Sequence, residues 1–241
     1  MKTEEKILRL IDLTALDGSD TSARIEDLCK KAQEYHTAAV CVYPYYVPLA
    51  KKLLTATPVR VACVAGGFPA SQTPLSIKTL EVEYCVKNGT DEVDIVIPIG
   101  GFLEGDKQRV IDEVKTLKKA CGEKHLKVIL ETGALGTPEK IRTASLLAIE
   151  GGADFIKTST GKIPVAATIE AARVMVEVIK EHYEKTGKYI GFKPAGGIST
   201  FEEALPYYEL VESVLGEAWL TPDLFRFGAS RLATDLAARI L

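Results

Sequence analysis

The sequence predicts an α/β fold of the (β/α)8, or TIM-barrel, class: a single domain over residues 1–241, with a short helix ahead of the first strand. Three observations carry that expectation. Eight short β-rich apolar runs alternate with longer amphipathic stretches, the pattern of parallel βαβ units. The 241 residues match the ~250 usual for this barrel, whereas an open doubly wound sheet suits about six such runs. Neither G-x-G-x-x-G at the first helix nor G-x-x-x-x-G-K-[ST] occurs, so the nucleotide fingerprints of open sheets are missing.

The elements follow in order. A short run, Asp12–Leu16, precedes a helix over Thr21–Tyr35, and Ala38–Tyr43 precedes one over Pro48–Thr55. Val59–Ala65 leads into Thr73–Asn88, which Thr73-Pro74 opens and Asn88-Gly89 closes. Glu92–Ile97 leads into Asp106–Cys121. Leu126–Glu131 leads into Pro138–Glu150, bounded by Thr137-Pro138 and Gly151-Gly152. Asp154–Ser159 pairs with Ala166–Lys185, Tyr189–Pro194 with Thr200–Leu215, and a short run at Leu224–Ala229 with Arg231–Leu241.

Composition narrows the function. Hydrophobic residues make up 46% and charged ones 26%, enough for one core and incompatible with disorder. Thirty basic against thirty-three acidic residues give a net charge of −3, which argues against a nucleic-acid partner. No apolar run reaches the ~18 residues of a membrane span, and Met1-Lys-Thr-Glu-Glu-Lys6 is no signal peptide, so no membrane partner and a cytoplasmic location are expected. The five cysteines (Cys29, Cys41, Cys63, Cys85, Cys121) form no C-x-x-C pair and read as reduced thiols. His36, His125 and His182 are not paired at ligand spacing, so no metal site is expected.

Strand alternation then exposes the chemistry. Val93, Ile95 and Ile97 suit the helix-facing side of their strand, which turns Asp94 into the barrel. The same parity turns Glu131, Lys157 and Lys193 inward. Lys127 lies at the start of its run, just after Leu126, and is expected as a solvated lysine at the opposite rim. A buried charge without a partner is costly, and in this fold the reason for one lies at the C-terminal mouth. The plain alternative is a lysine–carboxylate network that merely plugs the barrel. Two lysines and an aspartate otherwise equip a Schiff-base aldolase: an amine attacks a carbonyl only when neutral, and a second ammonium with partial desolvation lowers its pKa. Three segments suit an oxyanion, Thr158–Lys162, Gly196–Thr200 and Gly228–Ser230, because glycines and helix N-termini present N–H groups.

These residues carry a resemblance to a known family. The segments Asp12-Leu-Thr14, Ala39-Val-Cys-Val-Tyr-Pro44, Gly67-Phe-Pro69, Asp91-Glu-Val-Asp94 and Lys127-Val-Ile-Leu-Glu-Thr132 occur in order. Gly152-Ala-Asp-Phe-Ile-Lys-Thr-Ser-Thr-Gly-Lys162, Gly191-Phe-Lys-Pro-Ala-Gly-Gly197 and Arg226-Phe-Gly-Ala-Ser230 follow. Together they span nearly the whole chain, and the chain resembles the deoxyribose-phosphate aldolases, class I enzymes on a (β/α)8 barrel.

The resemblance implies Lys157 as the Schiff-base lysine, Lys193 as the second lysine that perturbs it, and Asp94 as the acid/base group. It implies reversible cleavage of 2-deoxy-D-ribose 5-phosphate to D-glyceraldehyde 3-phosphate and acetaldehyde, with no metal and no organic cofactor, by a homodimer. Asp12, Thr14 and Cys41 are implied to line the site, with Thr160, Gly161 and Lys162 near the substrate. Gly196, Gly197, Gly228 and Ser230 are the implied phosphate contacts. Two rivals stay open: a Schiff-base aldolase for another sugar phosphate, and a non-catalytic sugar-phosphate-binding barrel.

Three departures stand out. Arg231 occupies a position where family members often carry a second serine, Ala65–Ser71 is looser than the usual glycine-ended turn, and a tail ending in tyrosine, found in some members, is not expected after Ala238-Arg-Ile-Leu241.

Overall fold

A computed structural model describes residues 1–240; Leu241, the end of the expected last helix, lies outside the described residues. Thr3–Leu8 form α1, the short leading helix, with Ile7 and Leu8 buried. The alternation then runs β1 (Ile11–Thr14), α2 (Ser22–Glu34), β2 (Ala39–Val42), α3 (Val47–Leu54), β3 (Arg60–Val64), α4 (Leu75–Lys87) and β4 (Glu92–Val96). After β4 come α5 (Ile99–Leu103), α6 (Lys107–Cys121), β5 (His125–Ile129), α7 (Thr132–Leu135), α8 (Pro138–Glu150) and β6 (Phe155–Lys157). The chain closes with α9 (Ile169–Thr186), β7 (Gly191–Lys193), α10 (Phe201–Leu215), β8 (Phe227–Ala229) and α11 (Leu232–Ile240).

All eight expected runs are strands of one parallel sheet, in the order β7-β6-β5-β4-β3-β2-β1-β8. Two isolated parallel bridges, Phe192–Phe225 and Ala195–Gly228, close it into a barrel between β7 and β8. Most strands are shorter than the apolar runs: β6 stops two residues short at its C-terminal end, whereas β7 and β8 start two and three residues late.

Side-chain alternation sorts the strands into two faces. Val40, Val42, Val61, Cys63, Val93, Ile95, Val128 and Ile156 belong to the main core beneath the helices. Ala39, Cys41, Ala62 and Val64 form a small separate cluster with Leu16, lining the lumen. Lumen packing also explains Gly191, where a Cβ would lie 2.3 Å from the Phe155 ring.

Helix starts are fixed locally. The hydroxyls of Thr21, Thr137, Thr168 and Thr200 and the carboxylate of Asp106 each accept a backbone N–H from the first turn of α2, α8, α9, α10 and α6, worth about 1 kcal/mol apiece. The Thr168 cap starts α9 three residues later than the expected Ala166. The short α5 and α7 lie in βα loops and have no periodicity long enough to read. Among the described residues no helix is long and apolar enough to cross a membrane.

Candidate active site

Register brings the ionisable residues together. Asp94 lies level with Lys127, and Lys157 lies level with Lys193. Lys157 Nζ donates to Asp94 Oδ2 at 2.8 Å, and Lys193 Nζ donates to the same oxygen at 2.7 Å. Lys193 also meets Asp12 Oδ2 at 2.5 Å. One layer lower, Lys127 Nζ takes the other Asp94 oxygen at 3.1 Å and Glu92 Oε2 at 2.5 Å. Arg226 joins Asp12 to Glu92, meeting Glu92 Oε1 at 2.6 Å.

The electrostatics differ sharply between the two upper lysines. Burial disfavours charge on Lys157 and outweighs the pull of Asp94; the Lys193 ammonium adds to it, and the amine is held below the ordinary lysine range. Burial acts on Lys193 as well, but Asp12 and Asp94 together overcome it and hold that amine above the range, as a cation. Burial would push Asp94 up; the lysines around it, Lys127, Lys157 and Lys193, outweigh it and hold the carboxyl well below the usual range. Of the two amines, Lys157 therefore gives up its proton the more readily, while Lys193 holds its own.

Above this cluster a cavity of about 250 Å³ opens at the C-terminal mouth. Lys157 is the one member of the cluster that reaches it. Thr14, Thr160, Gly161, Lys162, Gly196, Gly197, Gly228 and Ser230 line it with Leu16, Asp17, Ala195, Ile198, Ser199, Ala229 and Arg231. Gly196 and Gly197 both have positive φ, +85° and +81°, and their N–H groups meet no protein acceptor among the described residues. Two successive amides without an internal acceptor at a cavity wall are available to an anion. A Cβ on Gly196 would lie 2.6 Å from the Ala166 Cβ, so a side chain there would collide with the loop before α9.

Residues 6–212 match the model of the DeoC/LacD family aldolases. The chain belongs to this aldolase family. It is 46% identical over 253 residues to the deoxyribose-phosphate aldolase of Homo sapiens, spanning 98% of this chain and 80% of that one. A solved structure from Coccidioides immitis superposes with a TM-score of 0.87 at 31% identity, covering all of this chain and 88% of the other. The deoxyribose phosphate aldolase of Aeropyrum pernix, described as a unique tetramer, shares the fold with a TM-score of 0.79 at 24% identity, over 99% and 92% of the two chains.

Within this aldolase barrel several expectations change. Lys127 is no solvated rim residue: β5 begins at His125, two residues earlier in the sequence, so Lys127 is mid-strand and fully buried among carboxylates. Glu131 does not join the lumen. It follows β5 in the left-handed region (φ 57°) and accepts from the Thr160 amide and hydroxyl, fixing the loop after β6. Asp12, Cys41, Asp94 and Lys193 lie beneath the cavity rather than in its wall. Burial pushes the Cys41 thiol up, which makes it a poor nucleophile. The Gly228 N–H is taken by the Pro194 carbonyl. Its absent side chain is what counts, since a Cβ would come within 3.2 Å of Lys193 Cε.

Sequence reasoning missed Glu92 and Arg226. Both were readable in principle, Glu92 from the Asp94 parity and Arg226 from lying between Phe225 and Phe227. A second cavity, of about 450 Å³, opens at the other end of the barrel past Lys51, Arg60, Asp91 and Lys124. Its lysines are solvated, and Lys51 and Lys124 both approach Asp91, so it offers no counterpart of Lys157.

Proposed function

We propose that this chain, acting as one (β/α)8 domain, reversibly cleaves 2-deoxy-D-ribose 5-phosphate to D-glyceraldehyde 3-phosphate and acetaldehyde through a Schiff base on Lys157. The observation that carries the reading is the opening of the depressed Lys157 amine onto a glycine-walled cavity, with Asp94 and a cationic Lys193 behind it. Neutral Lys157 attacks C1 of the open-chain aldehyde, and loss of water leaves an iminium. Atom balance fixes the bond that breaks as C2–C3, because acetaldehyde carries C1 and C2. The C3 hydroxyl gives up its proton through water to Asp94, the C2–C3 electron pair moves into the iminium, and glyceraldehyde 3-phosphate leaves. Asp94 and Lys193 return a proton to C2 of the enamine, and hydrolysis of the new iminium frees acetaldehyde and Lys157. No metal or organic cofactor enters these steps.

The phosphate is assigned to the free amides of Gly196 and Gly197, with Ser230 across the cavity, while Thr14, Thr160, Gly161 and Lys162 hold the sugar. Lys162 is held over the site by the Leu16 carbonyl. Five buried free cysteines support a reducing, cytoplasmic setting. We also infer a homodimer; the exposed apolar stripe Ile77, Leu80 and Tyr84 on α4 offers a surface for it.

The test is reductive trapping: acetaldehyde and borohydride, followed by peptide mass mapping. An ethyl group is expected on Lys157 alone; no adduct on folded protein at neutral pH would sink the Schiff-base reading. Substrate choice has its own test in Arg231, which lines the cavity without a side-chain partner among the described residues. It immediately precedes α11, where the helix dipole disfavours a cation unless an anion is present. Arg231→Ser should raise KM for the phosphorylated sugar about tenfold, the worth of one charge-assisted hydrogen bond, and leave the slow cleavage of 2-deoxyribose unchanged. Equal effects on both sugars would show that Arg231 does not read the phosphate.

A further inference from the structure

The ions beneath Lys157 form one connected set, and their count leads to an inference that rests on the Schiff-base reading above. The set contains three carboxylates, Asp12, Glu92 and Asp94, and four basic groups, Lys127, Lys157, Lys193 and Arg226, none more than 3% exposed. Arg60 also touches Glu92, but its side chain is 34% exposed at the lower rim and is balanced there by Asp223. A desolvated interior resists an uncompensated ion, and the group titrates instead. Three carboxylates therefore hold three cations, and one of the four basic groups is left to be neutral.

Geometry decides which. A guanidinium keeps its proton at any ordinary pH, which removes Arg226 from the choice. Lys193 meets two carboxylates, at 2.5 and 2.7 Å. Lys127 meets Glu92 at 2.5 Å, Asp94 at 3.1 Å and Asp12 at 3.8 Å. Lys157 has a single carboxylate oxygen, at 2.8 Å, and shares it with Lys193. We propose that Lys127 is a positioning residue for this aldolase: by occupying Glu92 and the far oxygen of Asp94, its charge leaves none over for Lys157, which stays neutral and nucleophilic.

Other groups facing Lys157 are constant across the variants that test this. Cys41 on β2 is a buried thiol. Glu131 is committed to Thr160, Lys162 lies 3.5 Å from Asp17, and Arg231 lines the far side of the mouth.

The experiment follows acetaldehyde trapping at Lys157, with cyanoborohydride, from pH 5 to 10. Lys127→Met leaves three carboxylates for three basic groups, so Lys157 should be protonated at neutral pH. Its trapping curve should move up by at least one unit, giving about tenfold less adduct at pH 7 and recovering as the pH rises. Lys127→Arg should keep the wild-type curve. Adding Glu92→Gln to Lys127→Met removes the surplus negative charge and should bring the curve back, which loss of packing alone would not do.

Circular dichroism and thermal melts report the fold of each variant. A folded Lys127→Met with an unmoved curve overturns the proposal. If that variant does not fold, Glu92→Gln alone is the test: its curve should move down, and an unmoved curve overturns the proposal equally. Absence of any adduct in the wild type would instead remove the Schiff-base reading beneath it.

Discussion

Lys157→Ala is expected to lower deoxyribose 5-phosphate cleavage by roughly 10⁴-fold or more, because the other lysine lining the cavity, Lys162, is held by the Leu16 carbonyl and Asp17 and does not replace a covalent nucleophile. The loss should come without unfolding. Removing this side chain leaves Asp12, Glu92 and Asp94 matched by Lys127, Lys193 and Arg226, so no buried ion loses its counter-charge. The melting temperature should stay within a few degrees of the parent, and KM should be measurable only if residual turnover survives. Activity within tenfold of the parent would mean that the carbonyl is not activated at Lys157.

Asp94→Asn should damage both fold and turnover. The carboxylate is the shared acceptor of three lysine side chains, Lys157, Lys193 and Lys127, at 2.8, 2.7 and 3.1 Å. Removing one partner from buried ion pairs costs about 3–5 kcal/mol, and loss of the acid/base group costs a further ~10²–10⁴ in rate. The pH dependence has a definite sign. The folded-state pKa of Asp94 is depressed, so its stabilisation is present above the unfolded carboxylate pKa and is lost as pH falls through the folded value. Asp94→Asn should therefore melt well below the parent at pH 7 and converge with it in strong acid. A constant gap from pH 7 down to the acid limit would show that Asp94 stays charged throughout, or contributes by shape alone.

The barrel was legible from local pattern, and so was the upper layer of the site. Asp94, Lys157 and Lys193 each sit between helix-facing apolar neighbours, so parity alone turns them inward. The glycine pairs at Gly196-Gly197 and Gly228 announce backbone conformations and close approaches that other residues resist. The lower layer was less legible for a physical reason. Whether a residue near the start of a strand meets water depends on strand tilt and on what stands across the lumen, and neither is local. Lys127 therefore reads as an ordinary surface lysine until Glu92, Asp12 and Asp94 are seen around it. Glu131 shows the converse error: extrapolating strand parity past Ile129 ignores the turn that redirects its side chain to Thr160.

The join between β7 and β8 has a consequence of its own. Among the described residues only the two bridges at Phe192–Phe225 and Ala195–Gly228 lace it, and the free amides of Gly196 and Gly197 follow β7 on one lip while Ser230 follows β8 on the other. A phosphate ester gripped by both lips acts as a clasp across the thinnest seam of the barrel. By mass action, occupancy at a hundred times Kd adds about 2.7 kcal/mol to the folded state. On the phosphate assignment proposed above, the ligand would finish the closure that the polypeptide leaves sparse, and the chain would resist opening most while it is at work.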